Sequence, residues 1–80
     1  MKRISEYMQE TGLEGIALDD MITCPNDGSE GAIWKVDKID LEGNIHAKLI
    51  ERKNASSHYA ELGSDIIIAP EAWEKWEKIN

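Results

Sequence analysis

The sequence predicts an α+β fold: a small curled antiparallel sheet or partly open barrel of four to five strands, with short N- and C-terminal helices. Apolar residues recur at helical spacing only near the two ends of the chain, whereas apolar and polar residues alternate with a period of two in between. Segments rich in glycine and asparagine separate the alternating runs, as expected of hairpin loops. With 80 residues in total, we expect one domain spanning residues 1–80.

The N-terminal helix is predicted from one apolar face near the start of the chain. Ile4, Tyr7 and Met8 follow the i, i+3, i+4 spacing of an amphipathic helix. Ser5 is a candidate N-cap, and Gly12 has the backbone freedom that a C-cap position favours. These residues predict a short helix that ends just before the glycine.

Period-two alternation predicts the first two strands, over residues 16–22 and 32–39. In the second of these runs, Trp34 and Val36 share one face, which we expect to be buried. The last isoleucine of the run is out of phase with them, which predicts either a β-bulge near Lys38 or a strand that twists out of the sheet.

The next strands are predicted on either side of a polar segment. A Glu-Gly-Asn sequence at residues 42–44 is typical of a hairpin loop, and apolar residues alternate along residues 45–51 after it. Residues 64–69 contain three successive isoleucines. Such a run is typical of a strand that is covered on both faces.

The C-terminal segment carries the remaining two tryptophans. Pro70 occupies the first-turn position that proline tolerates in helices, which predicts a helix from there to about Ile79. Trp76 lies on the apolar stripe of this helix, which we expect to close one end of the sheet, and Trp73 lies beside it. Trp73 is then either a core residue or an exposed interface anchor. In the second case, the helix bearing Trp73 and Trp76 could form the seam of a homodimer.

Residues 20–49 combine an apolar pair, a loop rich in asparagine, aspartate and glycine, a strand and a second glycine-containing loop. In this sequence these are Met21-Ile22, Asn26-Asp27-Gly28-Ser29-Glu30-Gly31, Ala32-Ile33-Trp34-Lys35-Val36 and Ile39-Asp40-Leu41-Glu42-Gly43-Asn44-Ile45. This region resembles the small β-barrels of the Tudor and KOW families. The resemblance implies a curled antiparallel sheet and a protein that binds peptides or nucleic acid, although no aromatic cage motif can be aligned.

The charge distribution is the sharpest functional feature of the sequence. Sixteen acidic residues outweigh nine lysines and arginines, which gives a net charge of −7. From Ile4 to Trp34 there is no lysine or arginine, and the acids are Glu6, Glu10, Glu14, Asp19, Asp20, Asp27 and Glu30. Such a charge favours a basic partner, since complementary potentials speed and orient association. A solvated acidic surface that keeps the protein soluble is the alternative explanation.

We therefore expect a non-enzymatic protein that binds a basic surface of another protein. Four carboxylates would steer the partner and one tryptophan would anchor it: Asp19, Asp20, Asp27, Glu30 and Trp73. A small acidic inhibitor or accessory factor of a nucleic-acid-handling protein, of the kind that phages and mobile elements encode, fits this size and charge. It would act as a nucleic-acid mimic if its carboxylates shared one face.

A nucleic-acid-binding barrel is the alternative from a different class. Four side chains are predicted to project from one face of the central hairpin: Lys35, His46, Lys48 and Arg52. Such a strip can follow the backbone of single-stranded nucleic acid. The acidic net charge opposes this interpretation, because each phosphate contact must overcome long-range repulsion. Cross-strand pairing of these bases with Asp37 and Glu51 would also explain the strip.

The sequence assigns neither a catalytic nor a metal-binding residue. Cys24, His46 and His58 are the only thiol and imidazole groups, and their spacing matches no zinc motif. No nucleophile, base and orienting group can be placed together, so we expect neither an enzyme nor a cofactor. No apolar run reaches the length of a signal peptide or a membrane span. We therefore expect a cytoplasmic protein without a membrane partner.

Overall fold

The computed structural model describes residues 2–25, 32–51 and 62–79. The elements, in chain order, are α1 (Ile4–Thr11), a first 3₁₀ helix (Gly12–Gly15), β1 (Met21–Thr23), β2 (Ile33–Ile39), β3 (Ile45–Glu51), β4 (Asp65–Ile68), a second 3₁₀ helix (Pro70–Lys75) and β5 (Glu77–Lys78). Among these residues, the strands form one sheet in the order β4-β3-β2-β1-β5, with all neighbours antiparallel. The sheet is not closed, and the predicted α+β fold is confirmed.

The centre of the sheet follows the predicted alternation. Trp34 pairs with Leu49, and Val36 pairs with Ala47, across β2 and β3. All four side chains are buried on the inner face of the sheet. The register shifts between Val36 and Lys38, and β2 stays paired as far as Ile39, which favours the predicted bulge over a strand that leaves the sheet. Burial of apolar surface of this kind stabilises the fold by roughly 25 cal/mol per Å².

Helix α1 and the C-terminal segment complete the core. Ile4 and Met8 of the helix belong to the same buried cluster as Trp34 and Trp76. The two indole rings meet edge to face, with their centroids 6.2 Å apart. Aromatic pairs in this geometry are stabilised beyond the burial of their surface.

The N-terminal cap of α1 differs from the prediction. The backbone N–H of Arg3 donates to a carboxylate oxygen of Glu6 at 3.0 Å, and Arg3 is the N-cap residue. The prediction of Ser5 is wrong because the carboxylate three residues further on already satisfies a free amide at this end of the helix. Gly12, with φ of +69°, ends the helix as predicted.

The first strand is shorter than the predicted span of residues 16–22, since β1 begins at Met21. The preceding residues form a turn in which the N–H of Ala17 donates to the Asp20 carboxylate at 2.8 Å. Asp19 has φ of +71°, a left-handed conformation that aspartate tolerates better than most residues. We call Ala17–Asp20 the braced turn. Aspartate side chains that bond to nearby backbone in this way compete with strand formation.

The predicted C-terminal helix, from Pro70 to about Ile79, is wrong in its second half. Its first part is the second 3₁₀ helix, and β5 then follows and pairs with β1. The N–H of Ile79 donates to the Met21 carbonyl at 2.8 Å, and the N–H of Lys78 donates to the Lys2 carbonyl at 3.0 Å. As an extended segment, β5 forms backbone hydrogen bonds with β1 on one side and with Lys2 on the other. These hydrogen bonds outweigh the helical pattern of the sequence.

The predicted burial of the isoleucine-rich strand on both faces is also wrong. β4 is the last strand on its side of the described sheet. Ile68 is buried, whereas Ile67 is 65% exposed. A run of isoleucines does not distinguish a central strand from an edge strand, because strand propensity depends strongly on context.

Candidate protein-binding surface

The two adjacent aspartates of the braced turn have different surroundings. The Asp20 carboxylate accepts the Ala17 N–H and lies 3.4 Å from Nζ of Lys78, with the Asp20 side chain only 17% exposed. The Asp19 side chain is 83% exposed, and its carboxylate lies 3.8 Å from Nζ of Lys35. An exposed ion pair at this distance contributes little energy. Asp20 therefore stabilises the turn, whereas Asp19 faces the solvent.

Trp73 is engaged within the chain. Its indole N–H donates to the Gly43 carbonyl at 3.0 Å. Gly43 has φ of +89°, and a Cβ on it would lie 2.6 Å from the Trp73 ring. Trp76, the other tryptophan of the predicted dimer seam, is only 9% exposed. The two remaining predicted partner-binding residues, Asp27 and Glu30, lie outside the described residues.

The loop that joins β2 to β3, Asp40–Asn44, is organised by one carboxylate, and we call it the hairpin loop. Oδ1 of Asp40 accepts the backbone N–H groups of Glu42 at 2.9 Å and Asn44 at 3.0 Å, and Oδ2 accepts the Asn44 side-chain amide at 3.0 Å. These hydrogen bonds favour the ionised form and lower the pKa of Asp40, with the Asn44 side-chain amide as the largest cause. The Asp40 carboxylate is therefore occupied within the molecule.

The structure brings together three of the four predicted nucleic-acid-binding residues on the outer face of the sheet. Lys35 of β2 pairs directly with Lys48 of β3. His46 lies two residues before Lys48 and therefore on the same face. Arg52 lies outside the described residues.

Acidic residues interrupt this basic strip. Lys48 lies opposite Asp65 in the register of β3 and β4, and Nζ of Lys35 lies 3.8 Å from the Asp19 carboxylate. Nε2 of His46 lies 3.7 Å from a carboxylate oxygen of the hairpin loop. The carboxylates beside Lys35 and Lys48 offset part of the positive potential of these two lysines, so the strip is less positive than its sequence pattern indicates.

An open groove of about 510 Å³ lies between the braced turn and the end of β2. We call it the Leu18 groove, and its main lining residues are Leu13, Glu14, Ile16, Leu18, Asp37 and Ile39. Ile16 is buried in the core, whereas Leu13 is 37% exposed and Leu18 is 60% exposed. Large apolar side chains are thus accessible next to one another.

Carboxylates flank the Leu18 groove. Glu14 and Asp37 are exposed, and neither makes an ion pair within the described parts of the chain. Asp19 follows Leu18 in the braced turn, and Lys38 is the one base that lines the groove among the residues that the structure describes. An apolar surface with a charged rim is the usual composition of a protein-binding site.

A second groove, of about 640 Å³, lies on the outer face of the sheet beside the bulge. Its polar lining consists of Asp37, Lys38, His46 and Asp65, and its apolar lining includes Ile67. Asp37 and Lys38 line both grooves, so the two grooves carry similar charge. The Leu18 groove differs in its apolar lining, where two accessible leucines lie beside the buried Ile16.

The described residues contain no group of three or more histidine, cysteine, aspartate or glutamate side chains placed to hold a metal ion. The Cys24 thiol is buried, and His58 lies outside the residues that the structure describes. Every helix in the described parts of the chain is too short or too polar to span a lipid bilayer. Comparisons with protein-family models, with curated proteins and with solved structures found no match.

Sequence reasoning missed the Leu18 groove. It placed Leu18 on a strand, whereas the residue lies on a turn. Two signals pointed to a turn: glycines on both sides of Leu13, and the aspartate pair directly after Leu18. The contribution of Ile39 to the same groove has no local signal, because it depends on how β2 packs against the turn.

Proposed function

We propose that this chain is a non-enzymatic acidic module that binds a basic surface of another protein, and that the Leu18 groove forms the centre of the contact. The observation that carries this proposal is the juxtaposition of exposed leucines with Glu14 and Asp37. These carboxylates make no ion pair in the described parts of the chain and can pair with lysine or arginine of a partner.

The net charge of −7 supports a basic partner. Complementary potentials raise the association rate, within a screening length of about 8–10 Å at moderate salt. We assign the steering role to Asp19 together with the groove carboxylates. Asp27 and Glu30 belong to the same acidic half of the sequence and stay in the proposal on that ground. Asp20 is left out because its carboxylate holds the braced turn.

A nucleic-acid-handling protein is the proposed class of partner. Proteins of this class carry lysine and arginine surfaces that neutralise phosphates. An acidic module that covers such a surface competes with nucleic acid, so it acts as an inhibitor or as an accessory factor. Phages and mobile elements are the proposed source of such a factor. A dimer through Trp73 and Trp76 is not proposed, because both rings are engaged within the chain.

Nucleic-acid binding by the chain itself is the second candidate function. It is favoured by the shared outer face of Lys35, His46 and Lys48, which Arg52 would extend. The neighbouring Asp19 and Asp65 weaken that strip, and the net charge opposes phosphate binding.

A capture experiment with matched charge variants tests the proposal. The chain is immobilised beside two double variants of equal net charge: Glu14→Lys with Asp37→Lys at the groove, and Glu51→Lys with Glu74→Lys at exposed positions that do not line it. A nuclease-treated lysate of the source cells is applied, and bound proteins are eluted with salt and identified by mass spectrometry. Each recovered protein is then purified, and its dissociation constant for the three chains is measured.

We expect the captured proteins to be basic. Their affinity should be roughly tenfold lower for the groove double variant than for the wild type, which corresponds to the loss of about one charge-assisted contact. Their affinity for the control double variant should be unchanged. A recovered partner that binds nucleic acid should release it when the chain is added. Recovery of no protein, or an equal loss with both double variants, would contradict the proposal. Retention of a labelled single strand by the chain, lost in Lys35→Glu and Lys48→Glu, would favour the second candidate.

A further inference from the structure

We infer that the Leu18 groove receives the apolar side chains of an amphipathic basic helix presented by the partner, an inference that rests on the proposed function and specifies its ligand. Amphipathic helices bind in apolar grooves through side chains at positions i, i+3 and i+4. Leucine or isoleucine of such a helix would pack in the groove. Lysine or arginine on the adjoining turns would pair with the carboxylates beside it.

The apolar surface of the groove is continuous with the core. Ile16 is 2% exposed and Ile39 packs against the core cluster, so these two side chains form the floor of the groove. Leu13 and Leu18 stand beside them with much of their surface still in water. A helix that covers these two leucines removes apolar surface from water without disturbing the fold.

The backbone that presents Leu18 is held from two sides. On one side, the N–H of Asp19 donates to the Val36 carbonyl at 2.8 Å, which ties the braced turn to β2. On the other side, Gly15 packs so closely on α1 that a Cβ would overlap the Tyr7 carbonyl. Because the site is already ordered, little conformational entropy is lost there on binding.

Charge selects a basic helix over the other occupants of an apolar groove. A second copy of the chain also carries −7, so the two copies repel each other. Single-stranded nucleic acid would bring phosphates against Glu14 and Asp37. A helix bearing lysine or arginine beside its apolar stripe complements both the groove and its rim, where the two carboxylates outnumber Lys38.

Two synthetic peptides test this inference on the ¹⁵N-labelled chain by NMR. Each has about 14 residues, close to four helical turns. The leucine peptide carries leucine at i, i+3, i+4 and i+7 and lysine elsewhere, and the alanine peptide replaces each leucine by alanine, which keeps the charge and the helix propensity. We expect the leucine peptide to shift the amide resonances of Leu13, Leu18 and Ile39. Its dissociation constant should be roughly tenfold lower than that of the alanine peptide.

The chain offers a matched pair of leucines for the control. Leu18 and Leu62 are both 60% exposed, but only Leu18 lines the groove. Leu18→Ser should weaken binding of the leucine peptide roughly tenfold, whereas Leu62→Ser should leave it unchanged. Equal effects of the two substitutions, or resonance shifts confined to other parts of the chain, would overturn the inference.

The alanine peptide separates this inference from the proposed function. If both peptides bind equally and Glu14→Lys with Asp37→Lys weakens both, the acidic surface binds cations and the helix-in-groove inference fails. If neither peptide binds the wild-type chain, the inference fails as well. The proposed function is then decided independently by the capture experiment.

Discussion

The hairpin loop and the braced turn are both held by an aspartate carboxylate, but they differ in how much of their surface is covered by other side chains of the chain. In each, an aspartate carboxylate accepts from the backbone: Asp40 accepts two N–H groups in the hairpin loop, and Asp20 accepts one in the braced turn. Trp73 packs against the hairpin loop and bonds to the Gly43 carbonyl. Beside the braced turn, Leu18 is 60% exposed.

This difference separates a contact that stabilises the fold from a surface that is open to a partner. At the hairpin loop, the covering apolar group belongs to the same chain, so its removal costs folding free energy. At the braced turn, the backbone N–H groups of Ala17, Asp19 and Asp20 are hydrogen-bonded, but the Leu18 side chain still contacts water. Substitution of Leu18 should therefore change the affinity for a partner far more than the free energy of unfolding.

The largest effect is expected from Gly43→Ala. A left-handed φ strains a residue with a Cβ, and here the new Cβ would meet the Trp73 ring at 2.6 Å. Together these effects should lower the free energy of unfolding by about 2–5 kcal/mol, measured by urea denaturation. Gly63→Ala is the matched control, because Gly63 has φ of +90° and no atom of the described residues lies within 4 Å of its Cβ position. It should cost only about 1–2 kcal/mol, and an equal loss for both would show that the ring contact is unimportant.

Trp73→Ala should have the next largest effect. It removes a half-buried ring and leaves the Gly43 carbonyl without its indole donor. We expect a loss of about 2–3 kcal/mol in the free energy of unfolding, below the range for a fully buried tryptophan. Trp73→Phe restores most of the ring and should recover about half of that loss. If Trp73→Ala instead keeps wild-type stability, the ring is free to serve as an interface anchor.

Acid should weaken the hairpin loop through Asp40. Its pKa in the folded state is lowered, chiefly by the Asn44 side-chain amide. The ionised carboxylate therefore stabilises the fold above its ordinary pKa of 3.8, and this stabilisation is lost as the pH falls through the lower folded-state value. The urea midpoint should fall less between neutral pH and about pH 3 in Asp40→Asn than in the wild type.

Asn44→Ala gives an independent check, since it removes the largest cause of the lowered pKa of Asp40. It should reduce the acid-dependent fall in the urea midpoint in the same direction. A fall in both variants as large as in the wild type would show that other groups carry the acid sensitivity.

The predictions that held depend on local patterns. Period-two alternation placed Trp34 and Val36 on the buried face, and the phase error at the end of the run located the bulge. Both signals lie within one strand, where side chains point alternately to the two faces. The Glu-Gly-Asn loop was equally readable, since glycine supplies the positive φ that the turn requires.

The predictions that failed depend on contacts between distant parts of the chain. The segment after residue 75 has a helical pattern, yet it is extended because β1 and the N-terminal residues bond to it on both sides. The Leu18 groove joins residues 13–18 to residues 37–39. The periodicity of a sequence contains no information about contacts between distant segments. The C-terminal strand and the candidate site could therefore be identified only from the tertiary structure.

The smallest expected effect on stability is that of Leu18→Ser, and it decides what the braced turn contributes. Because Leu18 is 60% exposed and the substitution keeps the backbone hydrogen bonds of the neighbouring Ala17 and Asp19, the free energy of unfolding should change by less than about 0.5 kcal/mol. Leu62 is equally exposed and lies on another turn, so Leu62→Ser should change the free energy of unfolding by a similarly small amount in urea denaturation. Preserved stability together with lost peptide binding would assign Leu18 to recognition. A loss of more than about 1 kcal/mol would instead make Leu18 a structural residue, as Trp73 is at the hairpin loop.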